Sequence, residues 1–132
     1  MRFPLVSAAA LAFLSAPAWS AQSDCMTTAT TQQAMNACAG QKLKASDQQL
    51  NTTYNALLAK TSKPGGEQLR KAQRAWVAWR DAQCQFDTLG TRQGSVNPMV
   101  YTLCVNDLTQ QQTKHLAAQL HCEEGDLSCG GQ

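Results

Sequence analysis

Six cysteines are the residues best suited to chemistry in this 132-residue chain: Cys25, Cys38, Cys84, Cys104, Cys122 and Cys129. What they do depends on the compartment. A reduced thiol binds metal or attacks a substrate, whereas an even set in an exported protein oxidises to disulfides. No Cys-x-x-Cys occurs, and the only two histidines, His115 and His121, are six apart. Two ligands on one helix face need a spacing of three or four. Three disulfides and no metal site are therefore expected. No serine stands in a Gly-x-Ser-x-Gly turn, and no glycine-rich loop resembles a phosphate cradle. Asp47 and Asp81 are carboxylates of the type that glycosidases use in pairs. A neighbouring arginine, Arg80, favours the charged carboxylate, whereas an acid catalyst must hold its proton. The residues predict a protein that is not an enzyme and uses no cofactor.

The disulfide reading rests on export, and the first twenty residues supply it. Met1-Arg2 gives a positive charge, residues 5–14 are apolar, and small residues follow in Ala16-Pro17-Ala18-Trp19-Ser20-Ala21. That order is a secretory signal peptide. Ala18 and Ser20 fit a cut after Ser20, and cuts after Ala18 or Ala21 also fit. The apolar run is shorter than the ~20 residues that span a bilayer. Cys25 is not preceded by the Leu-x-x-Cys pattern of a lipoprotein. The expectation is a soluble bacterial product, periplasmic or secreted, with residues 21–132 forming one domain and no membrane span. The formal charge of the whole chain is +2 and falls to about +1 without Arg2, so no nucleic-acid footprint is present.

Helices must position these residues. Thr30 and Gln33 make a capping box, and a helix-compatible stretch runs on to about residue 60, interrupted only by Gly40. Leu43, Leu50 and Leu57 recur every seven residues, with Asp47 and Tyr54 between them, which gives one amphipathic face. Ser62, Pro64, Gly65 and Gly66 mark a tight turn. A second helix is predicted over 67–87, with Glu67 suiting the start of its dipole. Its stripe is Leu69, Ala72, Trp76, Trp79, Gln83 and Phe86, which places Trp76 and Trp79 in the core. After a loop with Gly90, Gly94 and Ser95, Asn97-Pro98 caps a third helix that runs to about 121. Its apolar pattern is weaker, with Leu103, Leu108, Leu116 and Leu120 divided by a polar run. The fold expected is all-α: a small three-helix antiparallel bundle stapled by disulfides, with a clasped C-terminal tail.

Short connections make neighbouring helices antiparallel. A first hairpin turning near Lys63-Pro64 sets Asp47 against Arg80 as a structural ion pair, Tyr54 against Gln73, Leu43 against Cys84 and Leu50 against Val77. Such a pair specifies register more than it adds stability. The same heights rank Cys38–Cys104 and Cys25–Cys84 first, with Cys25–Cys104 and Cys38–Cys84 as the alternative; Cys122–Cys129 is left as a local clasp on the tail. Lys60, Lys63, Arg70, Lys71 and Arg74 gather at the first turn, and the acidic tail is expected at the opposite pole.

One combination of motifs is distinctive: Met35-Asn36-Ala37-Cys38, then Asp47-Gln48-Gln49-Leu50-Asn51-Thr52-Thr53-Tyr54, then Gln73-Arg74-Ala75-Trp76 with Arg80-Asp81-Ala82-Gln83-Cys84, and finally Gly94-Ser95 with Cys104. Together they resemble the LprI-type lysozyme-inhibitor family over residues 25–120. Two departures stand out: the lipid-anchor cysteine of some members is missing, and the Cys122–Cys129 tail is added. The resemblance implies a secreted envelope protein that inhibits lysozyme. Inhibition by occlusion needs a projecting segment that enters a sugar-binding cleft lined by carboxylates. Two segments qualify: the loop 88–97, with Arg92 and Ser95, and the tail, with Glu123, Glu124 and Asp126. The competing reading is a non-inhibitory envelope module that binds peptidoglycan or another envelope protein, using the basic turn.

Overall fold

The computed structural model describes residues 24–123, 125–127 and 129, all of them helix, turn or coil. The leader, its cut site and Glu124 lie outside the described residues. Four α-helices follow one another: α1 (Cys25–Thr28), α2 (Gln32–Lys60), α3 (Lys63–Asp87) and α4 (Asn97–Leu120), with a 3-10 turn at Leu89–Thr91. The described residues are thus all-helical and carry three disulfides. No helix among them is long and apolar enough to cross a membrane.

Local signals explain where the helices start. Thr31 rather than Thr30 caps α2, its hydroxyl accepting from the Ala34 amide at 3.1 Å. Ser62 caps α3 in the same way through Gly65, so α3 begins four residues before the predicted start and absorbs Pro64, Gly65 and Gly66 into its first turn. Proline is tolerated there because the first helical amides have no intrahelical partner. Gly66 is buried where α3 leaves the turn; a Cβ would stand 3.2 Å from both Leu58 Cδ1 and Thr61 Oγ1. Asn97 is not the cap of α4, a position held by Val96; its side chain instead ties down the preceding loop.

The closest packing is between α2 and α4, which run parallel, and not between the consecutive helices α2 and α3. The pairing is visible in Ser46 with Asn106 and in Lys60 with the Leu120 carbonyl. Leu50, Leu57 and Leu116 form the buried cluster, with Tyr54, Leu69, Trp76 and Leu120 packed against it. Buried polar groups sit between the same two helices. Ser46 donates to Asn106 Oδ1 at 2.7 Å and accepts from Gln110 Nε2 at 3.3 Å.

Two of the expected disulfides are replaced. Cys25 pairs with Cys38, not with Cys84, and Cys84 pairs with Cys104, not Cys38 with Cys104; both observed pairs have Cα atoms 5.7 Å apart. The reason is α1. The residues before α2 do not extend towards the end of α3 but form a turn of helix that folds back on α2, where Lys42 also holds Asp24 at 2.7 Å. Cys38 is thereby taken, and Cys84 meets Cys104 across the α3–α4 hairpin. Cys122 pairs with Cys129 in the tail.

The core assignment of the tryptophans also divides. Trp76 is half-buried, but Trp79 is 51% exposed and Phe86 68%. The Cys84–Cys104 bond and a hydrogen bond from Arg80 to Thr109 fix the rotation of α3 so that Leu69, Trp76, Arg80 and Cys84 turn inward. The stripe through Trp79 and Phe86 is carried round to the surface.

Candidate functional site

Arg80 lies where the three long helices meet. Its guanidinium donates to Asp81 through Nε at 2.9 Å and to Thr109 Oγ1 at 3.1 Å, stands 3.8 Å from Asp47 Oδ1, and lies 5.1 Å from the centre of the Trp76 ring. Thr109, fully buried, donates its own hydroxyl hydrogen bond to the Val105 carbonyl at 2.7 Å. Asp47, Leu50 and Tyr54 of α2 and Gln73, Val77 and Arg80 of α3 line one open groove of about 490 Å³. Both carboxylates address the same guanidinium, and both are partly exposed. The arrangement ties α3 to α2 and α4. It is a brace.

The loop 88–97 is built differently. At its start the Thr88 hydroxyl donates to the Cys84 carbonyl at 2.7 Å, and at its end Asn97 Nδ2 donates to Thr91 Oγ1 at 3.0 Å and to the Thr88 carbonyl at 3.4 Å. Between them the Gly94 amide donates to Thr91 O and the Asn97 amide to Gly94 O. With the Cys84–Cys104 disulfide at its base, the loop is a compact knob whose polar backbone is largely satisfied internally. Arg92 and Ser95 are exposed on it, and among the described residues the Arg92 guanidinium has no carboxylate partner. A cavity of about 580 Å³ beside the knob is lined by Phe86, Leu89, Arg92 and Tyr101 among others.

The tail is stapled by Cys122–Cys129 and turned at Gly125, whose φ is +88°. Glu123 and Asp126 are exposed. Because α4 runs parallel to α2, its C-terminus returns to the end where Lys60 reaches the Leu120 carbonyl. The acidic tail therefore shares one end of the molecule with the basic turn, rather than standing at the opposite pole. Opposite charges at one end weaken each other's long-range field. The loop 88–97 and the tail lie at the two ends of α4, separated by about 36 Å of helix, so one cleft cannot take both.

The remaining sequence candidates are dispersed. His115 and His121 are both exposed. Two groups bring an acid oxygen beside cysteine sulfurs, Asp24 with Cys25 and Cys38, and Asp126 with Cys122 and Cys129. In each the sulfurs are already joined to one another, so neither offers thiolate ligands.

Comparison with known proteins agrees with the motifs. A protein of Rhizobium meliloti (strain 1021), described as uncharacterized, is 36% identical over 109 residues, covering 73% of this chain and 78% of the relative. No solved structure matches the chain significantly. The family described as lysozyme inhibitor LprI matches residues 23–116, which take in α1, α2, α3, the loop 88–97 and most of α4. With that match over well more than half its length, the chain belongs to the LprI lysozyme-inhibitor family.

Proposed function

We propose that this protein is exported to the bacterial envelope after cleavage near Ser20 and there binds lysozyme, blocking the enzyme's cleft without chemistry. The observation that carries this reading is the family match, whose description is of an inhibitor and not of an enzyme. The three disulfides fit an oxidising compartment. Among the two projecting segments the loop 88–97 is the better wedge. It is stiffened at its base and internally hydrogen-bonded, so little ordering entropy is lost when it docks. Arg92 on it offers a planar fork suited to the paired carboxylates of a glycosidase cleft, with Ser95 beside it as a hydrogen-bond partner. Glu123 and Asp126 lie in the tail at the other end of α4 and serve in this reading as an exposed cap.

A lysis assay tests it. Oxidised mature protein is titrated into chicken-type, goose-type and invertebrate-type lysozymes acting on a peptidoglycan suspension. Stoichiometric protection against at least one type, lost on reduction, is expected, and Arg92→Glu should weaken it at least tenfold. Absence of protection against every type, from protein of verified helicity, refutes direct inhibition and leaves an envelope-binding module. Such a module would be retained on purified peptidoglycan, and salt would release it.

A further inference from the structure

The outward stripe of α3 carries a pattern of its own. Ala72, Ala75, Trp79, Ala82, Phe86 and Leu89, the last just past the helix, follow one another at alternating steps of three and four, and every one of them is exposed. Trp79, Phe86 and Leu89 are 51%, 68% and 52% exposed. This is the repeat of a coiled-coil seam, and no element among the described residues covers it. Contiguous exposed apolar surface of this kind marks an interaction face.

The order of sizes along the stripe selects the occupant. The three large side chains and the three alanines are related by reversal about a point midway between Trp79 and Ala82. If a second α3 lies antiparallel across that point, Trp79 meets the partner's Ala82, Phe86 meets the partner's Ala75, and Leu89 meets the partner's Ala72. Each layer then joins one large and one small residue, the condition for interdigitated packing. A parallel pairing fails the same test. It sets tryptophan on tryptophan and phenylalanine on phenylalanine, with voids between facing alanines. Charge agrees. The stripe holds no ionised residue, and the cation on its edge, Lys71, falls opposite the partner's Gly90 instead of its own copy.

We infer that the exposed face of α3 is a two-fold antiparallel interface between two copies of this chain. The stripe is about 25 Å long. Its exposed surface is about 500 Å² per copy, so the pair buries roughly 1,000 Å² in total, the low end of specific interfaces. The dimer should therefore be dissociable, with a Kd in the micromolar range. The association is measured without lysozyme, so its failure is distinct from a failure of the inhibitor reading.

Sedimentation velocity of the oxidised mature protein, from about 1 µM to about 1 mM, tests it. The weight-average mass should approach twice the monomer's across that range. Ala82→Glu and Ala82→Lys, both at an exposed helical position, should each leave a monomer of unchanged helicity. Mixing the two in equal amounts should restore the dimer, because the two copies of position 82 flank the two-fold axis. Gln49→Glu, on α2 away from the stripe, should dimerise like the parent. A protein monomeric throughout the range overturns the proposal. So does a dimer that survives Ala82→Glu, or a mixture that stays monomeric. If the parent is monomeric and Ala82→Glu abolishes lysozyme protection, the stripe belongs to the enzyme and not to a second copy.

Discussion

Ser46 is a hydroxyl buried among the packing residues of α2, and its two hydrogen bonds both reach α4. A buried polar group adds little net stability when satisfied but costs about 1–3 kcal/mol when its partner is removed. Ser46→Ala strips the donor from the Asn106 side-chain oxygen, itself in a residue only 8% exposed. Urea unfolding should show a loss of about 1–3 kcal/mol. Combining Ser46→Ala with Asn106→Leu should cost less than the two single changes together, because neither polar partner is then left alone. Asp24 presents the exposed counterpart. A hydrogen bond from Lys42, then one from the Met26 amide, hold its carboxyl below the ordinary carboxylate value. A depressed folded value means that the stabilisation is present at neutral pH and fades as pH falls through that value. Lys42→Met should move the Asp24 midpoint upward in an NMR titration of its side-chain carboxyl. A midpoint that stays put would assign the shift to the backbone amide alone.

At the scale of elements, α2 is unusual in being so long with a glycine in its first third. Gly40 is exposed, and a Cβ there would meet nothing within 4 Å. Helical glycine costs about 0.5–1 kcal/mol relative to alanine, so Gly40→Ala should raise stability by that amount, read as a higher midpoint with an unchanged slope in denaturant. Local chemistry of this kind was legible before any coordinates. The seven-residue recurrence of Leu43, Leu50 and Leu57 marks α2, and Ser62 with Pro64 and Gly65 marks its end. What was not legible is rotation. The residues of α3 offer two adjacent apolar stripes, one through Leu69 and Trp76 and one through Trp79 and Phe86. Which turns inward is decided by contacts with α4 distant in sequence, namely Cys84 with Cys104 and Arg80 with Thr109. The disulfide ranking failed for a related reason. Four helical residues, Cys25–Thr28, are too short to leave a periodic signal, yet they reverse the chain and take Cys38. In the candidate site, Gly94 and Ser95 announced a loop with Arg92 upon it, but nothing in the spacing announced that Asn97 would brace the loop instead of capping α4.

For the whole molecule, connectivity decides which segments can act together. Two reversals of direction bring the basic turn and the tail to one end and leave the loop 88–97 at the other. The three disulfides are accordingly unequal. Cys84–Cys104 spans 20 residues, joins α3 to α4, and encloses the whole loop, with Cys84 fully buried. Restricting an unfolded span of that length stabilises a fold by about 3 kcal/mol in the chain-entropy account. Cys122–Cys129 spans 7 residues after the last helix and joins no two helices. Replacing Cys84 and Cys104 by alanine should lower the unfolding free energy by about 3 kcal/mol and loosen the base of the loop. Any lysozyme protection should then fall even at temperatures where the helices persist by circular dichroism. Replacing Cys122 and Cys129 by serine should leave the Tm of the helices and the protection nearly unchanged. If the tail variant is the one that loses protection, the inhibitory segment is the acidic tail, and Arg92 is an ordinary surface residue.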